Sequence, residues 1–187
     1  WGTVFVVFRK PAAPPARTLP AIAESSLATI GGPWNLSFQP NRGAPASITL
    51  DTLASWDTSV DPGVKYFSGI GTYTKTIDAS PDWFKPSAPL WLDLGDVKNL
   101  AEVSVNGISL GVVWHAPYRV DVTKALKPGS NQLTIKVINT WVNRLIGDQQ
   151  PNVSKITFAD VTPYSASSPL MPSGLIGPVQ ILRESTK

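Results

Sequence analysis

The sequence predicts an all-β fold, a β-sandwich of antiparallel strands, on three observations. Eighteen prolines and fourteen glycines are spread along 187 residues and divide the chain into many short segments, a spacing that suits strands and turns better than alternating strand–helix units. Several segments alternate apolar and polar residues with period two, the signature of a half-buried strand. No long amphipathic helical pattern and no repeat of fixed period interrupts them.

The opening WGTVFVVFR is a strand-like apolar run that stops at Lys10-Pro11. PAAPPARTLPAIAESS follows, a Pro/Ala-rich stretch that reads as an extended linker. The expected organisation is therefore a terminal strand of a preceding domain over 1–9, a linker over 10–30 and a β-sandwich over 31–187. In GPWNLSF, Trp34, Leu36 and Phe38 share one face and Asn35 and Ser37 the other; SITL repeats the pattern briefly. Asp51 to Gly69 is irregular, mixing aromatics with turn residues. TYTKTI sets Tyr73, Lys75 and Ile77 against three threonines. After the SPDWFKPSAP loop, LWLDLG is a strand, with Trp91 expected in the core beside Trp34. AEVSVNGISLGVV is the clearest hairpin, since Asn106-Gly107 supplies the two positive φ angles of a type I′ turn. YRVDVTKALKPGSNQLTIKVIN gives a strand, one helical turn around Lys124 to Leu126, a Pro-Gly break and another strand; GPVQILR closes the fold after a long, weakly periodic segment.

A hydrophobic content of 42% and a charged content of 16% describe a globular chain with room for a full core. The net charge of +3 is weak and the basic residues are scattered, so nucleic acid is not an expected partner. No apolar run approaches the roughly 20 residues of a membrane helix, and no membrane partner is expected. The absence of cysteine excludes disulfides, thiolate metal sites and cysteine nucleophiles. The chain opens on Trp1 without a signal-peptide pattern, and reads as a segment of something longer.

Catalytic chemistry is sparse. His115 is the lone histidine, and there is no Gly-x-Ser-x-Gly elbow, HExxH helix or EF-hand loop. Glu24 falls in the linker, Glu102 on the outward face of a hairpin strand and Glu184 near the C-terminal end, so no carboxyl pair suited to glycoside hydrolysis is expected. Asp57 and Asp61 flank a turn; they either cap it or supply oxygen ligands to a structural calcium ion.

Binding chemistry is better represented. Trp56, Trp83, Trp114 and Trp141 lie in or beside loops, where an indole stacks on the apolar face of a pyranose. WHAPYR places Trp114, His115, Tyr118 and Arg119 at one strand connection, and NTWVNRLIGD places Trp141, Asn143, Arg144 and Asp148 at another. Trp114, His115, Tyr118, Trp141, Asn143, Arg144 and Asp148 are the candidate carbohydrate-binding residues, provided both connections share one end of the sandwich. In the alternative, Arg144 and Asp148 pair with each other and the two tryptophans cover the open end of the core.

These residues carry a resemblance. Val105-Asn106-Gly107, Gly111, the loop Trp114 to Tyr118, Asp121-Val122-Thr123, Leu126, Pro128-Gly129 and Asn131-Gln132-Leu133 follow in the order found in the sugar-binding-like β-sandwich of family 2 and related glycoside hydrolases. GVKYFSGIGTY, NTWVNRLIGD and PSGLIGPVQI are similar to the C-terminal sandwich of bacterial family 106 α-L-rhamnosidases, and the opening FVVFR to the strand before it. The resemblance implies a galactose-binding-like jelly roll within a large secreted or periplasmic bacterial enzyme that trims plant or microbial glycans. Such parents are inverting and calcium-assisted, with their catalytic carboxylates on a separate barrel outside these residues. The implied partners are a carbohydrate and the catalytic domain of the same polypeptide. It further implies that the NRLIGDQQ segment either presents Arg144 and Asp148 to that domain or pairs them to shape the loop that meets it.

Overall fold

The computed structural model describes residues 22–86, 88–161 and 163–186, together with positions 5, 7, 9 and 11. The expected strand over 1–9 and the first half of the expected linker lie outside the continuously described residues.

Among the described residues, twelve strands form three antiparallel sheets. A six-stranded sheet has the order β3-β2-β4-β10-β7-β8, from β2 (Trp34–Phe38), β3 (Ser47–Leu50), β4 (Ile70–Ala79), β7 (Leu100–Val105), β8 (Ile108–Val113) and β10 (Gly129–Ile138). A four-stranded sheet has the order β1-β12-β5-β9, from β1 (Ile22–Thr29), β5 (Leu90–Asp93), β9 (Arg119–Asp121) and β12 (Gln180–Thr186). A short ribbon pairs β6 (Asp96–Lys98) with β11 (Gly174–Gly177). The two larger sheets enclose one apolar core, and the fold is the predicted antiparallel sandwich.

Period-two alternation explains which residues fill that core. On β10, Leu133, Ile135 and Val137 are buried while Gln132 and Lys136 face outward; on β7, Ala101, Val103 and Val105 are buried between Glu102 and Ser104. From the second sheet, Leu90, Leu92 and Ile181 meet them. Asn106 and Gly107 have φ of 52° and 79°, the two positive values that the β7–β8 hairpin requires.

Three expectations change. Ile22–Thr29 is not linker: it pairs with β12 from Ile22↔Thr186 to Thr29↔Gln180. Its sequence IAESSLAT hides this because an exposed edge strand is held by backbone bonds and shows no apolar alternation. Trp91 is not core, because the same alternation that buries Leu90 and Leu92 turns it outward, where its Nε1 donates to Glu184 Oε2 at 2.9 Å. Trp56, read as a loop aromatic, is central to the core. It packs edge-on against Phe38 and Phe67, stacks on Tyr73 at 12° between ring planes, and donates from Nε1 to Tyr73 Oη at 2.7 Å. Gly71 and Gly174 make its slot, since a Cβ at either would lie 2.5 Å from the indole.

The irregular segment 51–69 holds a 3-10 turn at Trp56–Thr58 and a one-turn helix, α1 (Pro62–Lys65), capped by Asp61, whose Oδ1 accepts from Gly63 N at 2.7 Å. Segment 139–148, expected to be a loop, contains a second helix, α2 (Val142–Gly147).

Candidate functional site

Strand register gathers most of the candidate residues at one end of the six-stranded sheet. Val113 lies opposite Ala101, and Ala101 opposite Val137, so β8 and β10 both end there, on either side of β7. Phe38 opposite Gly71, and Gly71 opposite Val137, bring the β2–β3 loop with Arg42 to the same end. The two candidate connections thus share an end, with their strands about 10 Å apart across β7.

They do not merge into one patch. Trp114 is 70% exposed and meets His115 edge-on at 5.0 Å. His115 is exposed, whereas Tyr118 is half-buried and packs on the core. Trp141 is 45% exposed beneath the guanidinium of Arg42, 4.9 Å from its ring. It opens onto a groove of about 510 Å³ lined by Arg42, Leu145, Ile156, Thr157, Phe158 and Ala159, without Trp114, His115 or Tyr118.

Asn143, Arg144 and Asp148 are 2%, 5% and 4% exposed. The polar atoms of Asn143 and Asp148 are engaged within the chain. Asn143 Oδ1 accepts from Met171 N at 2.8 Å, and its Nδ2 donates to Met171 O at 2.7 Å. Arg144 and Asp148 sit at i and i+4, across the end of α2, with Arg144 Nε donating to Asp148 Oδ1 at 3.0 Å. Asp148 also accepts from Ile156 N at 3.1 Å, Thr157 N at 2.8 Å and Thr157 Oγ1 at 2.5 Å. Burial works against its charge, but the Thr157 hydroxyl and amide, the Ile156 amide and the Arg144 cation outweigh it and hold the carboxyl below its ordinary range. This carboxylate therefore fastens 156–157 onto α2. Arg144 and Asp148 thus pair within the chain.

Sequence reasoning missed the groove partners Arg42, Leu145, Ile156 and Phe158, which come from segments without periodicity. Phe158, fully exposed, was the signal available: an aromatic in a polar, aperiodic stretch.

Asp57 and Asp61 do not fit a calcium cage. Asp57 takes the Ser55 hydroxyl and Asp61 caps α1; among the described residues, no three or more His, Cys, Asp or Glu side chains cluster as metal ligands. The three glutamates are also engaged. Glu24 pairs with Arg119 at 2.6 Å, Glu102 with Lys136 at 3.2 Å, and Glu184 accepts from Trp91. Glu24 and Glu184 are cross-strand neighbours on β1 and β12, on the sheet that Trp91 and Arg119 share.

Sandwich, hairpin and loop end together define a galactose-binding-like β-sandwich domain. The chain belongs to the family described as glycosyl hydrolase 2 galactose-binding domain-like, whose model matches residues 71–165. It is similar to the structure of a rhamnosidase from Novosphingobium sp., with 53% identity and a TM-score of 0.88 over 94% of this chain and 17% of that one. A putative beta-glucuronidase of Formosa agariphila is 35% identical over 81% of this chain and 15% of its own length. The beta-glucuronidase of Ruminococcus gnavus, at 22% identity and a TM-score of 0.50, shares the fold over 67% of this chain. The chain spans less than a fifth of the rhamnosidase and of the Formosa relative.

Proposed function

We propose that this chain is the accessory β-sandwich of a glycoside hydrolase of the α-L-rhamnosidase type. It packs on a catalytic domain carried elsewhere in the same polypeptide and adds carbohydrate contacts at its loop end. One observation carries the proposal: identity of 53% extends over 94% of the chain, yet fills only 17% of the rhamnosidase it resembles. The exposed indoles of Trp114 and Trp141, one beside His115 and one beneath Arg42, are the surfaces offered to a sugar ring. Contacts this few give affinities on the order of millimolar to micromolar, since ordering and desolvation offset most of the gain.

Calorimetry and tryptophan fluorescence of the chain with rhamnose- and galactose-containing oligosaccharides test the binding. Silence in both removes it. In the full-length parent, Trp114→Ala and Trp141→Ala should lower kcat/KM while leaving the melting temperature intact.

A second reading, a scaffold without its own ligand, draws support from the burial of Trp56, Asn143, Arg144 and Asp148. Loss of turnover and melting temperature together in the two tryptophan variants favours it. Both readings leave bond cleavage to the other domain; hydrolysis of an aryl rhamnoside by this chain, abolished by one carboxylate substitution, overturns both. A secreted or periplasmic location belongs to the same proposal, and fractionation of the producing bacterium tests it.

A further inference from the structure

Arg144 uses one side-chain nitrogen inside the protein. Nε donates to Asp148, while Nη1 and Nη2 donate to no group among the described residues. The residue is 95% buried, yet among the described residues no side-chain nitrogen or oxygen sealed from solvent lacks a partner. Both terminal nitrogens therefore keep some contact with solvent. Arg144 lines a groove of about 420 Å³ together with Gly43, Pro62, Tyr66, Gly147 and Ile156. Two glycines make the approach: a Cβ at Gly43 would lie 3.3 Å from Nη1, and one at Gly147 would lie 2.5 Å from Nη2.

A buried cation with unmet donors calls for a strong acceptor. Asp148 does not supply it to Nη1 and Nη2, because its oxygens already take Nε, two backbone amides and the Thr157 hydroxyl. Two coplanar donors on a residue that lines a groove with Pro62, Tyr66 and Ile156 match the two oxygens of one planar anion. Arg42, next to Gly43 in sequence with its guanidinium over Trp141, and Lys65, 6.0 Å from the Tyr66 ring, bring positive charge to the neighbourhood without lining the groove. Asp61 is the opposing carboxylate there, with Oδ1 held by Gly63 N. We propose that this groove is a carboxylate-binding site in which Arg144 Nη1 and Nη2 each donate to one carboxylate oxygen. The proposal stands on this geometry whether or not the domain touches neutral sugar. A uronic acid and an acidic side chain carry the same group.

The test is NMR of the 187-residue chain, following the Arg144 Nε–H signal and the amides of Gly43 and Gly147. Four probes are titrated: D-glucuronate against D-glucose, and N-acetyl-aspartate methylamide against its asparagine counterpart. At least one acid is expected to saturate all three signals, with its neutral analogue at least about tenfold weaker; the acid that saturates first identifies the source. Ser154→Glu, at an exposed position on the groove wall, places a competing carboxylate there and weakens acid binding by about tenfold without touching the Arg144–Asp148 pair. Arg144→Lys removes the planar fork and abolishes binding; if that variant does not fold, Ser154→Glu decides. No saturation by either acid, equal response to the neutral analogues, or unchanged binding in Ser154→Glu overturns the site.

Discussion

The side-chain amide of Asn143 closes on both backbone groups of Met171, accepting from its N–H at 2.8 Å and donating to its carbonyl at 2.7 Å. Asn139 does the same for a neighbouring loop, accepting from Gly69 N and donating to Phe67 O, each at 2.9 Å. At the opposite end, Asn131 holds Lys127 and Gly129. Loop backbone that leaves the sheet ladder still needs partners when it is buried, and these amides provide them.

Replacing Asn143 with Ala strips both partners from Met171 and is expected to destabilise the fold by about 2–3 kcal/mol. Asn143→Asp keeps the acceptor but sets a carboxylate oxygen against the Met171 carbonyl, so it should fare no better. Urea unfolding, with the midpoint moving at constant slope, is the measurement.

Asp148 links stability to acid. Its carboxyl is held below the ordinary range in the folded chain, so the folded state favours the charged form. That contribution is fully present above the unfolded value of about 3.9 and is lost as pH falls through the lower folded value. Asp148→Asn should cost about 3–5 kcal/mol at neutral pH by stranding Arg144. It should also flatten unfolding free energy against pH below about 4. A variant retaining the wild-type acid slope would contradict this.

Tyr73 makes the alkaline counterpart. Burial pushes its phenol well above the usual value of about 10, against smaller opposing pulls from the Leu175 amide and Trp56. Its stabilisation is fully present below the unfolded value and is lost as pH rises above it toward the folded one. In an ultraviolet titration, Tyr73 should stay silent until the chain unfolds. Tyr73→Phe removes the acceptor for both Trp56 Nε1 and Leu175 N, with an expected cost of about 2–3 kcal/mol.

Trp114 should behave oppositely. Its indole is largely exposed and meets His115 edge-on, so Trp114→Ala should change stability by less than about 0.5 kcal/mol. It should also remove a large share of the acrylamide-quenchable fluorescence. A substantial fall in melting temperature would show that the loop is packed.

The sequence made plain those parts of the fold that alternate locally. AEVSVNGISLGVV and NQLTIKVI carry their pairing in their own spacing, and β7, β8 and β10 follow. The loop end was legible in composition and illegible in role. Whether Asn143 faces solvent or Met171 depends on backbone atoms 28 residues away, which no side-chain pattern encodes. Asp148 depends likewise on the amides of Ile156 and Thr157, within an aperiodic stretch. Trp56 was misjudged because its burial depends on Gly71 and Gly174 leaving an indole-sized slot, which emerges only when β4, β11 and the 51–69 segment are brought together.

Strand β1 runs along the edge of its sheet with Ile22 directly opposite Thr186. The outer ends of β1 and β12 therefore lie side by side, about 5 Å apart. Tension applied at those two points would peel β1 from β12 one pair at a time, each bond loaded in turn, so β1 should detach at low force while the rest of the fold holds. The same closeness lets the module be spliced into a surface loop of a host protein without stretching either one.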